Sequence, residues 1–150
     1  MFSKCRAPQH DQPGELYLAF YDIGIGIQNS LRRNLVGAGE HALEAIDKLA
    51  ATLGVGSGKL QDTQLLRIAV EHNRTTTGLP FRGKGLPEMK AFAASTTGGR
   101  LTMVSGFAQY NFRANSGPAT VVRCEQTTVG TLILWNLPLT WKDVTPCAAS

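Results

Sequence analysis

The chain has 150 residues, 43% hydrophobic and 17% charged, with a formal net charge of +4. That balance excludes disorder, and the length suits one domain with a sizeable core. The 15 Lys and Arg against 11 Asp and Glu are scattered without a basic run, which describes a solvated surface and not a nucleic-acid stripe.

The cysteines Cys5, Cys124 and Cys147 lie far apart in no metal-ligand spacing, so a reduced cytoplasmic protein is expected. No apolar segment is long enough to span a membrane, and the first residues lack the apolar core of a signal peptide. The sequon Asn73-Arg74-Thr75 is therefore read as chance.

Residues 1–14 are polar, carry two prolines, and read as a loosely held leader or the remnant of an upstream region. Residues 15–22 form a nearly continuous apolar run and predict a mostly buried strand. The strand ends on Asp22-Ile23-Gly24-Ile25-Gly26-Ile27. An ionised carboxylate offers only acceptors, suited to a ligand's amine. Glycines beside it let backbone lie against a ligand with no Cβ in the way. Acid and glycines together read as a pocket wall.

From Gly39 a helical stripe of Leu43, Ile46, Ala50 and Leu53 predicts a helix stopped by the glycines of 54–58. Asp62 predicts the N-cap of a second helix carrying Leu65, Leu66, Ala69 and Val70. Residues 72–85 read as a polar loop. A third helix is expected from Leu86 or Pro87, with Leu86, Met89, Phe92 and Ala93 on its apolar face and an end near Gly98-Gly99. Four short β-rich runs follow, at 100–105, 108–113, 119–125 and 131–137. The fold class expected is α+β: a two-layer sandwich whose mixed, mostly antiparallel sheet carries helices on one face.

Several motif matches fail. The first glycine cluster lacks the third glycine of a dinucleotide fingerprint. Gly54-Val55-Gly56-Ser57-Gly58-Lys59-Leu60 is one residue short of a P-loop and has Leu60 where a hydroxyl should hold magnesium. His10, His41 and His72 have no ligand spacing, and no nucleophile signature is present. Arg82-Gly83-Lys84-Gly85-Leu86 fares better. Glycine amides opening a helix, with flanking cations, make a phosphate cradle.

In order, Asp22-Ile23-Gly24-Ile25-Gly26-Ile27, Gly83-Lys84-Gly85-Leu86, a helix, Gly98-Gly99 with the strand after it, and Gly130-Thr131 resemble the histidine-kinase-like ATPase family. This is the Bergerat-fold (GHKL) group that includes sensor histidine kinases and gyrase. The likeness covers roughly residues 16–139 and implies an ATP-binding domain over 15–140, with a lid over 28–82 and a tail over 141–150. By position it implies that Asp22 accepts from the adenine amino group. Gly24, Gly26 and Ile27 would line the adenine and sugar side. Arg82, Gly83, Lys84, Gly85 and Leu86 would approach the phosphates, and Thr131 would hold a water behind the base.

The same resemblance implies ATP and Mg2+ as cofactors. It implies a bacterial two-component signalling role as an ATP-dependent protein kinase or ATPase, with a response regulator or other signalling protein as partner. The family's N-box helix, which supplies the Mg2+ ligand and the catalytic residue, has no counterpart before Asp22. Its lack predicts a nucleotide-binding shell, inactive alone, with an apolar face open to homodimerisation. A non-catalytic interaction module on the same fold is the alternative. Neither nucleic-acid binding nor a membrane segment is expected.

Overall fold

The computed structural model describes residues 1–8, 13–37, 51, 61–71 and 85–139. Its strands are β1 (Phe2–Arg6), β2 (Gly14–Asp22), β3 (Arg100–Arg113) and β4 (Thr120–Leu139). Its helices are α1 (Gly26–Gly37), α2 (Asp62–Glu71) and α3 (Gly85–Ser95). The strands form one sheet in the order β1-β2-β4-β3. Every pairing is antiparallel, so, among the described residues, the fold is α+β with three helices packed on an antiparallel sheet instead of a mixed one.

Residues 2–6 differ from the expected leader. They form an edge strand paired with β2 from Phe2↔Ala19 to Arg6↔Glu15. The four short β-runs are two long strands, because each pair is continuous across a bend. Ser105 and Gly106 are neighbours on β3, yet their β4 partners, Thr131 and Thr128, are three apart. A bulge of this kind bends the sheet without ending the strands. Gly130 makes the bend possible, with φ +77° and no room for a Cβ against the Asp22 carbonyl.

α1 was not expected. Its sequence, GIQNSLRRNLVG, lacks a clean apolar stripe, so periodicity does not reveal it. Its start is fixed by tertiary polar contacts instead: the Ile27 N–H donates to Ser105 Oγ at 3.0 Å, and Gln28 Nε2 donates to the Ser105 carbonyl at 2.5 Å. The stripe expected over 39–53 and the glycine stop at 54–58 lie outside the described residues, apart from Ala51.

α2 matches its expected span. Leu65, Leu66 and Val70 are buried on one face, so this helix, which falls inside the expected lid, is part of the core. Its N-cap is Gln61 in place of Asp62: the Gln61 carbonyl accepts from Leu65 N–H, and Gln64 Oε1 returns to the Gln61 N–H at 2.7 Å. The Asp62 carboxylate is turned to other work.

α3 begins at Gly85 and ends at Ser95, short of Gly98. Ala93 is buried and Leu86 and Met89 pack on the core, but Phe92 is 54% exposed and leaves the expected apolar face.

The core joins Leu66, Val70 and Ala93 of the helices to Leu101, Met103 and Tyr110 of β3 and Trp135 and Leu137 of β4. Phe20 of β2 meets Trp135 edge to face, with centroids 5.4 Å apart, a favoured aromatic geometry. The helices of the described residues pack chiefly on β3 and β4 and on one another, rather than on β1 or β2. Among the described residues, the helix-side face of β2 is left partly open at Leu16, Leu18 and Phe20. No helix of the described residues is long and apolar enough to cross a membrane.

Candidate functional site

Side chains alternate across a strand, so Asp22 shares the helix-side face with Leu16, Leu18 and Phe20. Asp22 pairs with Thr131, and Thr131 pairs on its other side with Ser105. The three form a polar row across β2, β4 and β3, where the apolar face of the sheet ends.

The row is differently committed along its length. Ser105 is fully buried and Thr131 is 8% exposed. Ser105 Oγ accepts the Ile27 N–H and donates to the Gly130 carbonyl at 2.9 Å. A hydroxyl has one proton, so Thr131 Oγ1, 3.3 Å away, is the donor in that contact. Thr131 keeps its lone pairs for another partner. Asp22 is exposed and makes no hydrogen bond or ion pair with any described residue. Its acceptors are uncommitted.

The glycines set this arrangement. A Cβ on Gly24 would stand 2.6 Å from an Asp22 carboxylate oxygen, so any other residue there would push the carboxylate aside. Gly26 turns the chain into α1 with φ +79°, and a Cβ there would lie 2.9 Å from Ser105 Oγ and 3.1 Å from the Gly130 carbonyl. Ile27, the next residue, packs on the core.

Across the Gly24–Gly26 turn lies an open cavity of about 550 Å³, bounded by Gln28, Asn29, Arg32, Asp62, Gly106 and Phe107, among others. Its wall is a polar chain. Arg32 pairs with Asp62 at 2.9 Å, and the other Asp62 oxygen accepts the Phe107 N–H at 3.0 Å. Asn29 Oδ1 accepts from Arg32 at 3.4 Å. The Arg123 guanidinium stacks over the Phe107 ring at 5.2 Å. Asp62 thus ties α2 to both α1 and the bend of β3.

The structure brings together Asp22, Gly24, Gly26, Ile27 and Thr131 of the expected site. Gly85 and Leu86 open α3, with Leu86 against the core and no described atom within 4 Å of a Cβ built on Gly85. Arg82, Gly83 and Lys84 lie outside the described residues. Sequence reasoning missed Ser105, Gln28, Asn29 and Arg32. Asn29 and Arg32 are spaced i, i+3 on one helix face, a signal visible only once α1 is known to be a helix. Among the described residues no group of three or more His, Cys, Asp or Glu is placed to hold a metal ion. Comparisons with protein-family models, curated proteins and solved structures find no match to this chain.

Proposed function

We propose that this chain binds an adenine nucleotide at the end of its sheet, with Asp22 as the acceptor for the exocyclic amino group. The observation that carries the reading is the pairing of an uncommitted Asp22 carboxylate with Thr131, whose remaining lone pairs suit a bridging water. Gly24 and Gly26 leave that corner free of side-chain bulk. The motif resemblance to histidine-kinase-like ATPases supports the same assignment. It extends it to Gly83, Gly85 and Leu86 for the phosphates, with Arg82 and Lys84 adding positive charge.

The proposal concerns recognition. It assigns no residue to Mg2+ or to phosphoryl transfer, so catalysis by this chain forms no part of it. Adenine recognition by such a domain fits a bacterial signalling protein that reads ATP and acts on a response regulator or another signalling partner.

The test is titration calorimetry with ATP and ADP on the chain and on Asp22→Asn. A charge-assisted hydrogen bond contributes about 1.5–3 kcal/mol and Asn keeps a neutral acceptor, so the variant should bind more weakly by a factor of about 10, and by no more than about 150. Equal binding by both removes Asp22 from the site, and no binding by either removes the reading altogether.

The partly open helix-side stretch of β2 among the described residues supports the second reading, an interaction module. Leu16, Leu18 and Phe20 offer an apolar strip that a partner helix or a second copy can cover. Light scattering across a concentration series tests it: a monomer throughout that captures no partner speaks against this reading.

A further inference from the structure

The three helices pack on one face of the sheet, and the opposite face collects residues that are far apart in sequence. By register, Lys4, Tyr17, Asn136 and Arg100 stand in one line across β1, β2, β4 and β3. Three strand spacings make that line about 14 Å long. The next line is Phe2, Ala19, Leu134 and Thr102. These residues border a shallow groove of about 620 Å³, floored by the small Ala19 side chain.

Both aromatic rings are available. Phe2 is 66% exposed and Tyr17 is 40% exposed. They are diagonal cross-strand neighbours, a relationship that sets Cα atoms about 7–8 Å apart. The charges on this face are one-sided. Glu15 is the acid at the groove, and its carboxylate is already engaged by Arg6 at 3.1 Å and by the Tyr17 hydroxyl at 2.8 Å. Lys4 and Arg100 form no ion pair with any described residue.

We propose that this open sheet face binds single-stranded nucleic acid, with bases stacked on Phe2 and Tyr17 and phosphates held by Lys4 and Arg100. Stacking on exposed aromatics beside cations is the physical basis of sequence-tolerant single-strand recognition, and an antiparallel sheet presents such a platform. The surplus positive charge selects a polyanion. It also disfavours a second copy of the chain, since face-to-face docking sets these cations against each other while the Glu15 carboxylate is already occupied. Along the sequence no basic stripe with interleaved aromatics exists; strand pairing assembles one from residues 2–17, 100 and 136.

The test is fluorescence anisotropy of labelled oligo-uridine and oligo-thymidine with the full chain, from about 50 to 200 mM salt. Binding should weaken steeply as salt rises. Tyr17→Leu should weaken it by about 5- to 150-fold, the range for losing one base stack, while Tyr17→Phe retains it. The Lys4→Glu, Arg100→Glu double variant should abolish it with an unchanged circular dichroism spectrum. Asp22→Asn, on the other face, should bind the oligonucleotides like the parent. Oligo-uridine tighter than oligo-thymidine, or the reverse, supports the site either way. No binding at the lowest salt overturns the proposal, as does parental binding by the double variant. Equal competition by poly-glutamate overturns it as well, leaving a general anion surface. A dimer lost in Tyr17→Leu, with no oligonucleotide bound, makes the face a self-interface instead.

Discussion

Asp22 and Thr131 stand opposite each other on neighbouring strands, one exposed with an uncommitted carboxylate and the other nearly buried with its proton directed at Ser105. The pair occupies the point where the apolar floor of the sheet gives way to polar groups. Its geometry depends on Gly130, which precedes Thr131 and lies directly against the Asp22 backbone.

Gly130→Ala therefore tests the frame of the site. A non-glycine residue at φ +77° carries a strain of about 1–3 kcal/mol, and the added Cβ meets the Asp22 carbonyl. The expected result is a stability loss of at least about 2 kcal/mol in urea unfolding. An unchanged midpoint contradicts the close approach of β2 and β4 at this bend.

Ser105→Ala should cost about 1–3 kcal/mol, since it leaves the Ile27 N–H and the Gly130 carbonyl without their partner in a buried setting. The start of α1 should loosen with it, read as faster amide exchange at Ile27 and Gln28 than at Leu66. Uniform exchange across both helices contradicts the role of Ser105 as the anchor of α1.

Asp62→Ala removes the tie between α2, Arg32 and the Phe107 N–H. Both contacts are partly solvated, so the expected loss is about 1–2 kcal/mol. Asp62→Asn keeps one neutral acceptor and should lose less. If Asp62 acted as an N-cap alone, Asn would restore the parent's stability fully, because Asn and Asp cap equally well.

Tyr110 gives a pH signature. Its hydroxyl is buried without a hydrogen-bond partner among the described residues, and burial, with Glu71 adding to it and Arg67 opposing it, pushes the phenol well above its ordinary value near 10. The folded chain thus keeps this proton at pH values where the unfolded chain loses it. Stability should be flat below about pH 9 and fall as pH rises through 10 and beyond. Tyr110→Phe should remove this component of the fall at little cost in stability near neutrality, since it deletes an unpaired hydroxyl. Identical alkaline limbs for parent and variant contradict the shift.

Much of the fold can be read from local pattern. The strand ending at Asp22 follows from its nearly continuous apolar run. The helix over Asp62–Glu71 follows from its start signal and the apolar residues Leu65, Leu66, Ala69 and Val70, and α3 from a proline-tolerant first turn with apolar spacing. The rest is set by tertiary contacts that leave little local trace. α1 has a polar face and is anchored through Ser105, a residue almost eighty positions away in the chain. β1 is a polar edge strand that draws its order from hydrogen bonding to β2. Phe92 carries the right spacing for the core, yet it is 54% exposed, because spacing alone does not say which neighbours a helix face will meet. At the site, Asp22, the first glycines and Thr131 are legible as a motif in order. Ser105, Arg32 and the cavity wall are not, because a bulge and a helix start bring them together.

Gly85→Ala separates structure from ligand at the second glycine cluster. No described atom lies within 4 Å of the added Cβ, so thermal stability should hold or rise slightly, as expected for alanine in a helix. Nucleotide affinity should fall if the α3 N-terminus approaches phosphates. Unchanged affinity separates this glycine from the ligand.

The measurement that bears most directly on Asp22 is a cycle pairing Asp22→Asn with ADP and inosine diphosphate, which lacks the amino group. The parent should prefer ADP by about 10- to 150-fold, the range of a charge-assisted hydrogen bond. Asp22→Asn keeps only a neutral acceptor, so most of that preference should be lost, while inosine diphosphate binds about as well as to the parent. A preference for ADP that survives the substitution undiminished, or an equal loss of both ligands, contradicts Asp22 as the group that reads adenine.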